Sequence, residues 1–189
     1  MKLYSLFSSV GFSNSYLIGP EEGGPAVLVD PGKFDIPLLQ AVEGNGLSVR
    51  WIFVTHAHGA HINGVRPLLK VYDAGIFTNQ PSALDFPAHH VQDGDVLDCG
   101  AVSVSVIETP GHSIDSVCFL IGNFLFTGDT LNAGGIGRTR DGYARGLLLS
   151  SIRKRILPLG DDILVFPGHG PPTKLSVEKA FNPYLDEKL

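Results

Sequence analysis

The stretch Thr55-His56-Ala57-His58-Gly59-Ala60-His61 carries three of the chain's seven histidines within six residues. It follows directly on the apolar run Trp51-Ile52-Phe53-Val54, which reads as a buried strand. Neutral imidazole and carboxylate are ligands that suit zinc and iron, and a catalytic ion keeps one coordination position open for water or substrate. His56 and His58, two apart on an irregular turn, can both face one ion. Three further residues stand beside glycine where a strand signature ends: His112 in Thr109-Pro110-Gly111-His112, Asp129 in Thr127-Gly128-Asp129-Thr130, and His169 in Pro167-Gly168-His169-Gly170. A lone histidine is more often a satisfied structural residue than a ligand. Four strand ends that each close on a ligand type point instead to one shared metal centre.

The elements that must position these residues are legible from periodicity. Leu3–Ser8, Asn14–Ile18 and Ala26–Val29 form a strand meander that stops at Asp30-Pro31-Gly32. Ile36–Val42 has helical spacing with Pro37 in its first turn, and Arg50–Thr55 is the strand before the histidine cluster. Apolar residues at Val65, Leu68, Leu69 and Tyr72 predict a helix over Ile62–Tyr72. Ile76–Thr78 is a short strand, and the weakly patterned Pro81–Val91 is a short helix and loop. Strands then run through Val102, Val104 and Val106, through Ser116–Ile121 and through Phe124–Phe126. A helix is expected over Ala144–Leu157 and a last strand over Ile163–Phe166. The order fits two packed sheets with helices outside and the polar residues at one rim.

With 189 residues, 43% of them hydrophobic, the chain is expected to be a single domain, residues 1–189. A net charge of −5 without a basic stripe argues against nucleic acid or an anionic membrane as partner and leaves a small-molecule substrate. No apolar run is long enough to span a bilayer, and Met1–Phe7 lacks the features of a secretory leader, so cytoplasm is the expected location. Cys99 and Cys118, far apart and outside any C-x-x-C pattern, read as reduced core thiols. His89-His90 reads as a surface pair.

The four ligand motifs, in this order and spacing, closely resemble the metallo-β-lactamase superfamily, and within it the small bacterial hydrolases related to glyoxalase II. Asn14-Ser15-Tyr16-Leu17-Ile18, Val29-Asp30-Pro31-Gly32, Gly134-Gly135-Ile136-Gly137-Arg138-Thr139, Gly170-Pro171-Pro172-Thr173 and the closing segment Glu178–Leu185 extend the likeness over nearly the whole chain. The resemblance implies an α/β fold, an αββα sandwich of two mixed sheets flanked by helices. It implies a first ion on His56, His58 and His112, with Asp129 bridging to a second on His61 and His169; Asp129 and His169 are the candidate catalytic residues. In two-metal relatives a water between ions about 3.5 to 4 Å apart loses its proton near neutral pH and attacks a carbonyl carbon. Thioesters, esters and lactams are the usual targets.

One position departs from the family. The residue before the third histidine is normally Asp, a ligand of the second ion that also orients the nucleophilic water; here it is Ala60. Zn2+, or Fe2+ or Mn2+, is therefore expected to bind firmly at one position and weakly or not at all at the second. The substitution fits an engineered inactive enzyme, a natural branch using one ion, or a binding protein with little catalysis. Asp30 and Asp115 are stand-ins only if the fold brings them close; otherwise they are turn or loop residues. The small residues Gly59 and Ala60 predict a loop with added space and flexibility, room enough for a water. Arg138, Arg140, Tyr143 and Arg145 lie near the same rim. They are solvated residues unless an anionic substrate meets them. Three activities follow: hydrolysis of a thioester or related ester, oxidation by a mononuclear-iron persulfide dioxygenase, or metal-stabilised binding without turnover.

Overall fold

Alternating apolar residues build fourteen strands in the computed structural model, which describes residues 1–185. The first sheet runs in chain order: β1 (Lys2–Ser8), β2 (Ser13–Gly19), β3 (Gly24–Val29), β4 (Leu47–Phe53), β5 (Gly75–Thr78) and β6 (His89–His90). β1 to β3 are antiparallel and β3 to β6 parallel. In the second sheet, β7 (Val96–Asp98), β8 (Ser103–Glu108), β9 (Val117–Ile121) and β10 (Phe124–Gly128) form an antiparallel meander. The strands β11 (Leu131–Asn132) and β12 (Gly135–Ile136) make a separate small hairpin. β13 (Leu164–Pro167) then returns parallel to β10, with β14 (Thr173–Lys174) at its edge.

Three apolar clusters define the layers. Val27, Val29, Phe53, Val104, Phe119 and Phe126 fill the space between the sheets. Leu17, Leu28 and Ile52, on the opposite face of the first sheet, meet Leu38 and Val42 of helix α1 (Ile36–Glu43). Cys118, Leu125 and Val165, on the outer face of the second sheet, meet Leu148 and Ile152. This is the expected αββα sandwich, and each buried Leu, Ile or Phe stabilises it by about 1.5–3 kcal/mol relative to exposure.

The helix expected over Ile62–Tyr72 is not continuous: it is two short helices, α2 (Gly59–Ile62) and α3 (Val65–Leu68). Hydrogen bonding explains the break, because the Gly64 N–H donates to the Pro31 carbonyl (2.8 Å) while the Ala60 carbonyl accepts from Ser13 Oγ (2.7 Å). The helix expected over Ala144–Leu157 begins earlier, as α4 (Gly142–Ser151), where the Asp141 carboxylate accepts from Ala144 N–H (2.8 Å). It ends in a π-helical turn over Ile152–Ile156, with Leu157 N–H bonded to the Ile152 carbonyl. Helix α5 (Leu175–Phe181) closes the described chain. Pro81–Val91 holds a 3₁₀ turn and the exposed strand β6, so His89 and His90 lie at the surface as expected. Cys99 and Cys118 are buried and free.

Candidate metal centre

Four strand ends deliver the site. β4 leads into His56 and His58, β8 into His112, β10 into Asp129 and β13 into His169, while α2 supplies His61. The two sheets are joined at this rim: Asn14 N–H donates to the Gly168 carbonyl (2.8 Å), Tyr16 Oη to the Pro167 carbonyl (2.6 Å) and Val117 N–H to the Thr55 carbonyl (2.9 Å). Gly168 has to be glycine, since a β-carbon there would stand 2.6 Å from His61 Cε1 and 2.7 Å from Asp129 Oδ1.

All six residues expected to ligate are brought together around Asp129. Its Oδ2 lies 3.5 Å from His112 Nε2, 3.4 Å from His169 Nε2 and 4.0 Å from His56 Nε2; its Oδ1 lies 3.6 Å from His61 Nε2. His58 Nδ1 is 3.0 Å from His112 Nε2. Two donor sets, His56/His58/His112 and His56/His61/Asp129, each have their ligand atoms within 4.8 Å of one another. His56 Nε2, His61 Nε2 and Asp129 Oδ1 are buried without a hydrogen-bond partner among the described residues. Orphaned buried polar atoms cost about 1–3 kcal/mol each, and a cation among them would remove that cost. The residues present therefore fit a divalent ion.

The imidazoles are oriented from behind. Asp30 Oδ2 accepts from Thr55 Oγ1 (2.6 Å) and faces His61 Nδ1 (3.1 Å), and Thr55 Oγ1 in turn stands 3.1 Å from His56 Nδ1. With Thr55 donating to Asp30, its oxygen accepts from His56 Nδ1–H, so one carboxylate sets two rings with Nε2 directed at the centre. His112 Nδ1 donates to the Arg138 carbonyl (2.6 Å) and His169 Nδ1 to the Phe12 carbonyl (2.9 Å), with the same result. Burial, and then the neighbouring imidazoles, hold His56 far below the usual histidine range. Burial opposes the charged form of His61 as well, but Asp30 and then Asp129 outweigh it, and its pKa is raised.

The expectation that Asp30 and Asp115 are ordinary turn or loop residues is overturned. Asp30 is 2% exposed, sits at φ +49° and accepts from Thr55 N–H besides its side-chain partners; such a backbone persists where surrounding contacts over-determine it. Asp115 is buried too, and its Oδ2 accepts from Ala57 N–H (2.8 Å), pinning the turn between His56 and His58. Asp30 does not replace the carboxylate missing at Ala60, because both its oxygens are spent on these bonds, and Asp115 is in neither set of ligand atoms gathered at the centre.

The expected loop at Ala60 is also corrected. The residue lies in helix α2, tied by Ser13 to the first hairpin, and a β-carbon on Gly11 would stand 2.9 Å from the Ala60 methyl. Arg138 meets the site through its backbone carbonyl while its side chain is exposed, and Arg145 lies over the Tyr184 ring at 5.6 Å. Arg140 and Tyr143 do reach the site, lining a cleft with His58 and His112. Sequence reading missed Ser13 and gave no site role to Asn14 and Tyr16; their signal was the motif after the first hairpin turn.

Comparison with known proteins agrees with this geometry. A family model described as the metallo-beta-lactamase superfamily matches residues 8–169. The hydroxyacylglutathione hydrolase of Methylobacillus flagellatus is 34% identical over 169 residues, which cover 88% of this chain and 66% of that protein. The chain thus spans just under two thirds of that relative. The crystal structure of ETHE1 from Myxococcus xanthus superposes with a TM-score of 0.88 at 33% identity, covering 97% of this chain and 84% of that one. TTHA1623, solved in a di-iron-bound form, superposes with a TM-score of 0.82 at 29% identity over 96% of this chain and 100% of its own. Layer order, the four strand-end motifs and these matches lead to one assignment: the chain belongs to the metallo-beta-lactamase superfamily.

Proposed function

We propose that the chain is a metal-dependent hydrolase of a thioester or related ester. Its first ion would be held by His56, His58 and His112 with Asp129, and a weaker second position by His61, His169 and Asp129. The observation that carries this reading is the set of buried, unpartnered atoms, His56 Nε2, His61 Nε2 and Asp129 Oδ1, converging at one rim. The likeness to a hydroxyacylglutathione hydrolase supports the reaction class, and the di-iron form of TTHA1623 supports iron beside zinc as occupant.

A bound divalent ion supplies Lewis acidity and brings the pKa of water toward neutrality. With alanine at position 60, Asp129 is the carboxylate left facing the centre; it would hold the ions and orient the attacking water, whose proton passes to solvent. The new bond joins water oxygen to carbonyl carbon as the carbon–sulfur bond breaks. His169, whose side chain is one-third exposed at the mouth, borders the path of the departing thiolate, which takes its proton from solvent.

The test is turnover of thioesters, esters and lactones by protein of measured zinc or iron content, beside Ala60→Asp. Expected are about one tightly held ion per chain, measurable hydrolysis, and a second ion with a faster rate in Ala60→Asp. No hydrolysis by either protein would overturn the reading. The ETHE1 likeness fits a second reading, a mononuclear-iron persulfide dioxygenase, as well. Oxygen uptake with glutathione persulfide by the iron-loaded protein would select it. Metal-dependent stability without either turnover would leave a binding protein.

A further inference from the structure

Beside His58 and His112 opens a cleft of about 390 Å³, within the range that holds small ligands. Its far wall is built by the start of α4, where Tyr143, Ala144 and Leu147 share one face at helical spacing, and by Ile114 from the turn after His112. Tyr143 is 81% exposed and Ile114 74%. Single exposed apolar residues need no explanation, but two facing one cleft at the edge of a candidate reaction centre form a surface waiting for an apolar group.

Among the described residues, Arg140 is the one arginine or lysine lining this cleft. Its Nε donates to Asp141 Oδ2 (3.2 Å), and Asp141 is itself held in place by capping α4. That leaves the two terminal guanidinium nitrogens without an acceptor among the described residues, on a side chain that is 89% exposed. The guanidinium fork matches a carboxylate better than a lysine would. The arginine within α4, Arg145, lies over the Tyr184 ring instead.

We propose that the substrate carries an apolar arm ending in an anion. The arm lies against Ile114, Tyr143 and Leu147, and its carboxylate meets the terminal nitrogens of Arg140. This rests on the hydrolase reading and narrows it from any thioester to one with an amphipathic acid arm on the side of His58 and His112.

The test uses N-acetylcysteamine thioesters that differ only in the acyl arm: acetyl, hexanoyl and adipoyl. Zinc-loaded protein is expected to prefer hexanoyl to acetyl. It should favour adipoyl over hexanoyl by about two- to fivefold in kcat/KM, mainly through KM, as for an exposed charge-assisted contact. In Arg140→Gln the adipoyl-to-hexanoyl ratio should fall to about one, and Arg140→Lys should restore part of it. As a readout independent of turnover, monomethyl adipate should shift NMR signals of Ile114, Tyr143 and the Arg140 Nε–H in the zinc-loaded protein. Dimethyl adipate and acetate should not, acetate reporting direct contact with the ion. Equal rates for adipoyl and hexanoyl thioesters, or a preference that survives Arg140→Gln, would overturn the inference. If no thioester turns over yet the shifts appear with monomethyl adipate alone, the hydrolase reading fails while the cleft keeps its ligand class. Absence of both would overturn the two together.

Discussion

Asp30 is the residue on which most of the centre's geometry depends. Its two oxygens serve Thr55 N–H, Thr55 Oγ1 and His61 Nδ1, and through Thr55 they fix His56. Asp30→Asn would turn an N–H donor toward His61 Nδ1–H, so two donors would face each other. The expected outcome is a loss of about 10- to 100-fold in zinc affinity, checked by competition with a chromophoric chelator. In the sequence Asp30 stood in a turn signature, Asp-Pro-Gly, that extends the family likeness, but its role behind the histidines was not legible because its partners lie far along the chain. The ligands were legible for the opposite reason: each closes its own apolar run beside glycine. Cys99 and Cys118 follow their sequence reading too. Burial pushes both thiols up to about 11, so at pH 8 roughly one in a thousand is thiolate. Native protein should react negligibly with a disulfide reagent in the time that urea-unfolded protein reacts fully.

At the scale of elements, the longer strands were read closely, while the short strands β6, β7, β11, β12 and β14 were not read as strands. Period-two alternation survives packing, so β1, β4, β10 and β13 begin or end within a few residues of their expected bounds. The break between α2 and α3 has no local signal: it arises because Pro31 and Ser13, from a different part of the first sheet, take part in the hydrogen bonds a continuous helix would use. The π-turn after α4 is likewise set by packing against the second sheet. Close approach of elements also gives a sharp prediction at Gly168, where β13 passes His61 and Asp129. Gly168→Ala should cost about 1–3 kcal/mol in urea unfolding and weaken zinc binding at the same time. A stability loss with zinc affinity unchanged would show that the strand end can shift without disturbing the ligands.

For the molecule as a whole, the centre is a source of pH sensitivity when no metal is bound. His56 is held below its unfolded value by burial and then by the other imidazoles, and His58 is lowered by burial and then His112. As pH falls below about 6.5, the unfolded chain takes up protons that these rings refuse, so the unfolded state binds more protons and stability declines. His61, raised on balance by Asp30 and Asp129, works the other way: its contribution is fully present below its unfolded pKa and fades as pH rises through the folded one. Two groups oppose one, and the urea midpoint of chelator-treated protein should be lower at pH 5.5 than at pH 7.5. No helix among the described residues is long and apolar enough to cross a membrane.

The bridge between Ser13 and His169 has a consequence for how the protein is made. The partner of the first hairpin's inner strand is translated long after the hairpin itself, 153 residues separating Asn14 from Pro167. Until then the Asn14 amide, which ends up on the carbonyls of Pro167 and Gly170, has nothing to hold. Contacts this distant along the chain slow folding. A chain truncated before residue 167 should therefore keep the ligands of the first ion yet hold zinc more weakly than the full chain, because the contacts that close the rim around them are missing.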